Sequence, residues 1–154
     1  MCDPRLTDYL SDLLVNFTHI DTLNTLRRIR GKRLEQVAAI LAGMFGDELK
    51  TGARRDQTVY RHIGDFTLFW AGMYPEHLRR DAHLPTDALH DYVVQGKKSY
   101  AIVADLAQPD DVPPRDLFLH LSEDFEYCLH GLGIVRKEWE NPGRRPGGES
   151  DLIV

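Results

Sequence analysis

The stretch Asp56-Gln57-Thr58-Val59-Tyr60-Arg61-His62-Ile63-Gly64-Asp65-Phe66-Thr67-Leu68-Phe69-Trp70-Ala71-Gly72-Met73-Tyr74 decides the fold. Val59, Tyr60, Ile63, Phe66, Leu68, Phe69, Trp70, Met73 and Tyr74 do not keep to one stripe but surround most of a helix, the pattern of a helix packed on nearly every side. Asp56 is expected to cap its start by accepting from exposed backbone N–H groups, and Pro75 to end it. Gly64 and Gly72 fall inside, where glycine costs about 1 kcal/mol relative to alanine. Close approach of another helix backbone is the expected compensation.

On the N-terminal side, Leu6, Tyr9, Leu10, Leu13, Leu14 and Phe17 recur at three- and four-residue steps behind Pro4, a residue tolerated in a first helical turn. Ile20, Leu23, Leu26 and Ile29 repeat the spacing more weakly among threonines and arginines, leaving a short helix or an irregular crossing open. Leu34, Val37, Ala38, Leu41, Ala42 and Phe45 restore the stripe, and Gly46-Asp47 supplies a stop. Lys50 to Arg55 reads as a surface loop.

On the C-terminal side, Glu76 to Thr86 reads as a polar connection. Leu89, Tyr92, Val93, Gly96, Tyr100, Val103, Ala104 and Ala107 give the strongest helical periodicity in the chain. Asp110-Asp111-Val112-Pro113-Pro114 breaks it. A last long helix begins near Arg115 with the face Leu117, Phe118, Leu121, Phe125, Cys128, Leu129, Leu132 and Val135, extended toward Trp139, with Gly131 and Gly133 as its weak points. The glycines and prolines after Asn141 predict a flexible tail over 141–154. No strand pattern competes. The expected fold is all-α: one domain over 1–140, a bundle of about five helices around the buried central one.

With 154 residues, 42% hydrophobic and 28% charged, the chain is large enough to bury a core without staples and far from the composition of disorder. Its formal charge of −5 argues against a surface that binds nucleic acid over its whole extent. Cys2 and Cys128 have no neighbouring cysteine, and Cys128 reads as a buried free thiol. Charges in Met1-Cys2-Asp3-Pro4-Arg5 replace the apolar run of a secretory leader, and no apolar run reaches membrane-span length, so a cytoplasmic location is expected.

Four groups of residues bear on chemistry. His62 and Asp65, three apart on the central helix, share a face and would suit proton transfer or a metal. They equally suit a structural polar network in which His62, Arg61 or a tyrosine hydroxyl offsets the buried carboxylate, and that reading is preferred. His77, His83 and His90, with Asp81 and Asp87, gather around a helix–loop–helix junction as candidate metal ligands. The paired Glu-x-x-His motifs of di-iron bundles are missing, and surface histidines are the preferred reading. Arg27, Arg28, Arg30, Lys32 and Arg33 form a basic patch suited to phosphates or an acidic partner. No aromatic residues are interleaved for base stacking, so nucleic acid is disfavoured there, with a solvated face or a protein partner preferred.

The fourth group is Arg115-Asp116-Leu117-Phe118-Leu119-His120, an arginine, four residues and a histidine, which resembles the motif of HEPN-type ribonucleases. The resemblance implies a dimer in which Arg115 polarises a phosphate and His120 acts as acid and base. It spans six residues, and Arg55 to His62 matches the pattern as loosely. There is no phosphate loop, nucleophile elbow, dinucleotide fingerprint or zinc-finger cysteine pattern, and no cofactor is expected.

Tyr60 to Pro75, followed by Tyr92, Gly96, Ser99-Tyr100 and Leu121-Ser122-Glu123-Asp124-Phe125, resembles a group of uncharacterised bacterial all-helical proteins of similar length. The resemblance implies a bacterial cytoplasmic origin and carries no activity. Three functional expectations follow. The first is a non-enzymatic domain acting through an unknown protein partner or self-association, for instance as a dimer. The second is a metal-independent, HEPN-like ribonuclease using Arg115 and His120. The third is a small-molecule or metal-binding bundle with Tyr60, Trp70, Tyr92 and Tyr100 lining an apolar pocket.

Overall fold

The computed structural model describes residues 3–29, 32–44, 46, 51–80 and 88–141, without the side chains of Ile20, Asp21, Leu23, Leu26, Arg27, Glu35, Arg79 and Arg80. Among the described residues there are eight helices and no strand: α1 (Pro4–Thr18), α2 (Ile20–Ile29), α3 (Leu34–Met44), α4 (Gly52–Met73), α5 (Pro75–Arg80), α6 (Ala88–Leu106), α7 (Arg115–Glu123) and α8 (Phe125–Glu140). The fold is all-helical, as expected, but about five helices was too few. The weak pattern over 20–29 is helical, Leu78 anchors a short helix in the supposed polar connection, and the last long helix is divided in two. The tail after Asn141 lies outside the described residues.

Every residue of α4 from His62 to Met73 is buried, which follows from apolar side chains distributed around the whole helix. Helix α6 packs along it most extensively, and α8, α3 and α1 also pack against it. Trp70, Phe66, Phe69, Tyr100, Phe118 and Phe125 are its largest fully buried neighbours and members.

Helix α4 starts at Gly52, so Asp56 is not its cap but an exposed residue in its second turn. Two features extend it: Gly52 takes a positive φ of 61° that turns the chain into the helix, and Arg54 is held 2.8 Å from Asp111 in the loop before α7. At the other end Tyr74 leaves the helical region, as the residue before a proline tends to, and Pro75 opens α5.

Helices α7 and α8 meet at Asp124, whose N–H still donates to the His120 carbonyl at 2.8 Å while its own carbonyl accepts from Cys128 at 2.9 Å. The break therefore falls at Asp124 rather than at Gly131 or Gly133. The buried stripe of α8 stops short of Trp139, which is 52% exposed.

The glycines of α4 do face close neighbours, but these are side chains rather than another backbone. A Cβ on Gly64 would lie 2.7 Å from the Tyr100 ring, and one on Gly72 would lie 2.6 Å from Leu132. Gly96 of α6 is tighter still, with Phe125 at 2.4 Å and the Thr67 hydroxyl at 2.6 Å from a built Cβ. Gly96→Ala should cost about 1–3 kcal/mol through overpacking. Gly131→Ala, which meets nothing within 4 Å on α8, should gain about 0.5–1 kcal/mol through helix propensity. Urea melts of the two variants should shift in opposite directions; equal shifts would show that helix α6 is not seated on Phe125.

Candidate functional site

The residues with most chemical content converge where α1, α4 and α6 meet. Tyr9 of α1 and Tyr100 of α6 each donate a hydrogen bond of 2.6 Å to the same oxygen, Oδ1 of Asp65. Each tyrosine belongs to the apolar stripe of its own helix, so the packing that buries the rings also delivers their hydroxyls to α4. The rings of Tyr9, Tyr100 and Phe118 enclose the carboxylate, with Tyr9 edge-on to the other two and Tyr100 stacked on Phe118 at 6.2 Å. Asp65 is thus a buried acid whose desolvation is offset by two directed donors.

Arg61, one turn earlier, supplies the countercharge. Its Nε donates to the Tyr9 hydroxyl at 3.2 Å and lies 4.0 Å from Oδ2 of Asp65. Its guanidinium covers the rings of Tyr9 and Phe118 at 5.3 and 5.6 Å, which fixes its plane. Burial lowers the pKa of this guanidinium, but Tyr9 and Asp65 outweigh that effect and hold it above its ordinary value. Burial, reinforced by the negative charge of Asp65, pushes both phenols well above 10.0.

This network forms a wall of a cavity of about 310 Å³. Leu13, Phe17 and Pro113 supply apolar surface, while Asp12, Asn16, Thr58, Arg61, His62 and Asp65 supply polar groups. His62 and Asp65 share the face expected of their spacing, but the donors to Asp65 are the two tyrosines and not His62. A smaller cavity of about 120 Å³ adjoins Arg61 on the side of the Arg54–Asp111 ion pair.

The other sequence candidates separate. Arg115 is exposed, whereas His120 places Nδ1 3.2 Å from Asp3 at the start of α1. Five residues along a helix rotate by about 140°, so the two side chains leave α7 in different directions. Asp3 also accepts from the Arg5 side chain, which bridges to Asp116 at 2.8 Å, and from the Arg5 backbone N–H; the two bonds from Arg5 hold Asp3 at about 2. His120 thus sits beside the contact in which Arg5 bridges Asp3, at the start of α1, to Asp116 of α7.

His77 packs tilted against Trp70 and edge-on to Tyr74, and His90 is exposed on α6; His83, Asp81 and Asp87 lie outside the described residues. Among the described residues no three His, Cys, Asp or Glu side chains gather to hold a metal. In the basic patch Arg28, Lys32 and Arg33 are exposed, and the Arg27 side chain and Arg30 lie outside the described residues. Of the tyrosines and tryptophan expected to line a pocket, Trp70 and Tyr100 are fully buried in the core, and Tyr60 faces a separate groove beside α3. No described helix is long and apolar enough to cross a membrane. No family model, curated protein or solved structure matches the chain.

Tyr9→Phe and Tyr100→Phe should each cost about 1.5–3 kcal/mol, the range for a buried hydrogen bond to a charged acceptor. The raised phenol values also set the alkaline limit of stability. Below pH 10 both phenols are neutral in the folded and unfolded chain alike. Above it the unfolded chain loses those protons first, so stability should fall as pH rises beyond 10. Denaturant melts between pH 9 and 11 should show this fall, with a shallower slope in either phenylalanine variant.

Proposed function

We propose that the chain is a small-molecule-binding helical domain, with its site in the cavity bounded by α1, α4 and the loop before α7. The observation that carries this reading is the buried Asp65 carboxylate. One of its oxygens is occupied by two tyrosines, the other has no described donor within hydrogen-bond distance, and the residue lines the cavity. The volume lies at the lower end of the range for ligand sites, and a few convergent polar groups against apolar walls is their usual construction. A carboxylate and a guanidinium set on the rigid central helix are pre-organised, so little ordering would oppose binding.

Association through α8 has a weaker basis, the exposed side chains of Tyr127, Ile134 and Trp139, since single exposed apolar residues are common on monomers. The ribonuclease reading draws no support from Arg115 and His120, whose side chains leave α7 in different directions.

A fragment screen by amide NMR tests the proposal. Binding fragments should shift the signals of Leu13, Thr58, Arg61 and Asp65. Asn16→Trp, at an exposed position on the cavity rim, should abolish those shifts while leaving the melting temperature within a few degrees. Fragments that bind only elsewhere, or bind the tryptophan variant equally well, would remove the cavity from consideration.

A further inference from the structure

The cavity wall carries two complementary charged groups one helical turn apart on α4. Oδ2 of Asp65 is an anionic acceptor without a described donor, and Asp65 as a whole is 9% exposed. The Arg61 guanidinium commits Nε to Tyr9, and among the described residues none accepts from its two Nη groups. These Nη groups are the fork that recognises a planar carboxylate. Nε and Oδ2 are 4.0 Å apart, too far for a direct hydrogen bond.

A bare anion would bind Arg61 but face the charges of Asp65 and Asp12. A bare cation would satisfy Asp65 and leave the Arg61 Nη groups, on a side chain that is 41% exposed, without an acidic partner. A molecule carrying both charges meets both demands, provided its charges sit as close together as those on the wall. That condition selects an ammonium and a carboxylate on the same or adjacent carbon atoms. Leu13, Phe17 and Pro113 then offer the surface for an apolar substituent.

Building on the reading of this cavity as a ligand site, we infer that its ligand is an α-amino acid-type zwitterion with an apolar side chain. The carboxylate lies on the Arg61 Nη groups, and the ammonium donates to Oδ2 of Asp65. Asp65 Oδ1 and the two tyrosine hydroxyls stay engaged with each other and hold the acceptor in place.

Three probes sharing one hydrocarbon body test this by calorimetry on the whole chain: leucine, 4-methylpentanoate, which lacks the ammonium, and 3-methylbutylamine, which lacks the carboxylate. Leucine should bind about tenfold or more tighter than either of the others. Arg61→Lys keeps the charge but removes the fork, and should weaken leucine and 4-methylpentanoate while sparing 3-methylbutylamine. 6-Aminohexanoate, whose charges are far apart, should bind no better than 4-methylpentanoate.

The comparison among probes uses the unaltered protein, so it stands even if the lysine variant folds poorly. Single-charge probes that equal leucine, or leucine that fails to bind, would overturn the zwitterion assignment. If fragments still shift the cavity amides in that case, the ligand site itself survives; if none do, both conclusions fall.

Discussion

Two phenolic hydroxyls arriving at one carboxylate oxygen place α1, α4 and α6 in register, and much of the molecule is arranged around that convergence. An acid in the middle of the longest helix would be strongly unfavourable without directed donors. Tyr9 and Tyr100 supply them from positions 56 and 35 residues away in sequence. The aromatic stack that delivers the hydroxyls also includes Phe118, which ties in α7, and the Arg61 guanidinium that closes over it. Polar satisfaction and apolar packing are therefore two aspects of one arrangement, since a ring that moved out of the core would withdraw its hydroxyl from Asp65.

The architecture was legible where the signal was long and periodic. The buried run of α4, the face of α6 and the stripe of α1 follow from the spacing of apolar residues, because a helix of several turns must bury a continuous stripe. The extra elements escaped for local reasons. Helix α5 is only six residues long, too short to establish a period, and its anchor Leu78 reads as an isolated apolar residue. The division at Asp124 leaves the apolar spacing almost undisturbed, because the chain resumes its helical course immediately. The early start of α4 depends on an ion pair from Arg54 to a residue more than fifty positions later, which no local pattern contains.

The candidate site was half legible. Asp65 and His62 stood out because ionisable groups inside an apolar helix demand an explanation, and Arg61 and a tyrosine hydroxyl were among the partners that chemistry suggested. Which tyrosines, and that Asn16, Thr58 and Pro113 would complete a cavity, depends on how three helices and a loop come together. The Arg115–His120 pair was legible only as a spacing; that His120 comes to lie 3.2 Å from Asp3 depends on how α1 packs beside α7.

The unequal use of the two oxygens of Asp65 constrains how this protein can diversify. Oδ1 is bound into the fold and the same residue lines the cavity, so any change of that side chain alters the core and the cavity wall together. A substitution there cannot reshape the cavity without also loosening the core. Innovation is then channelled to the outer turns of α1, at Asp12 and Asn16, and to the loop carrying Pro113, where side chains can be exchanged while the aromatic frame stays intact.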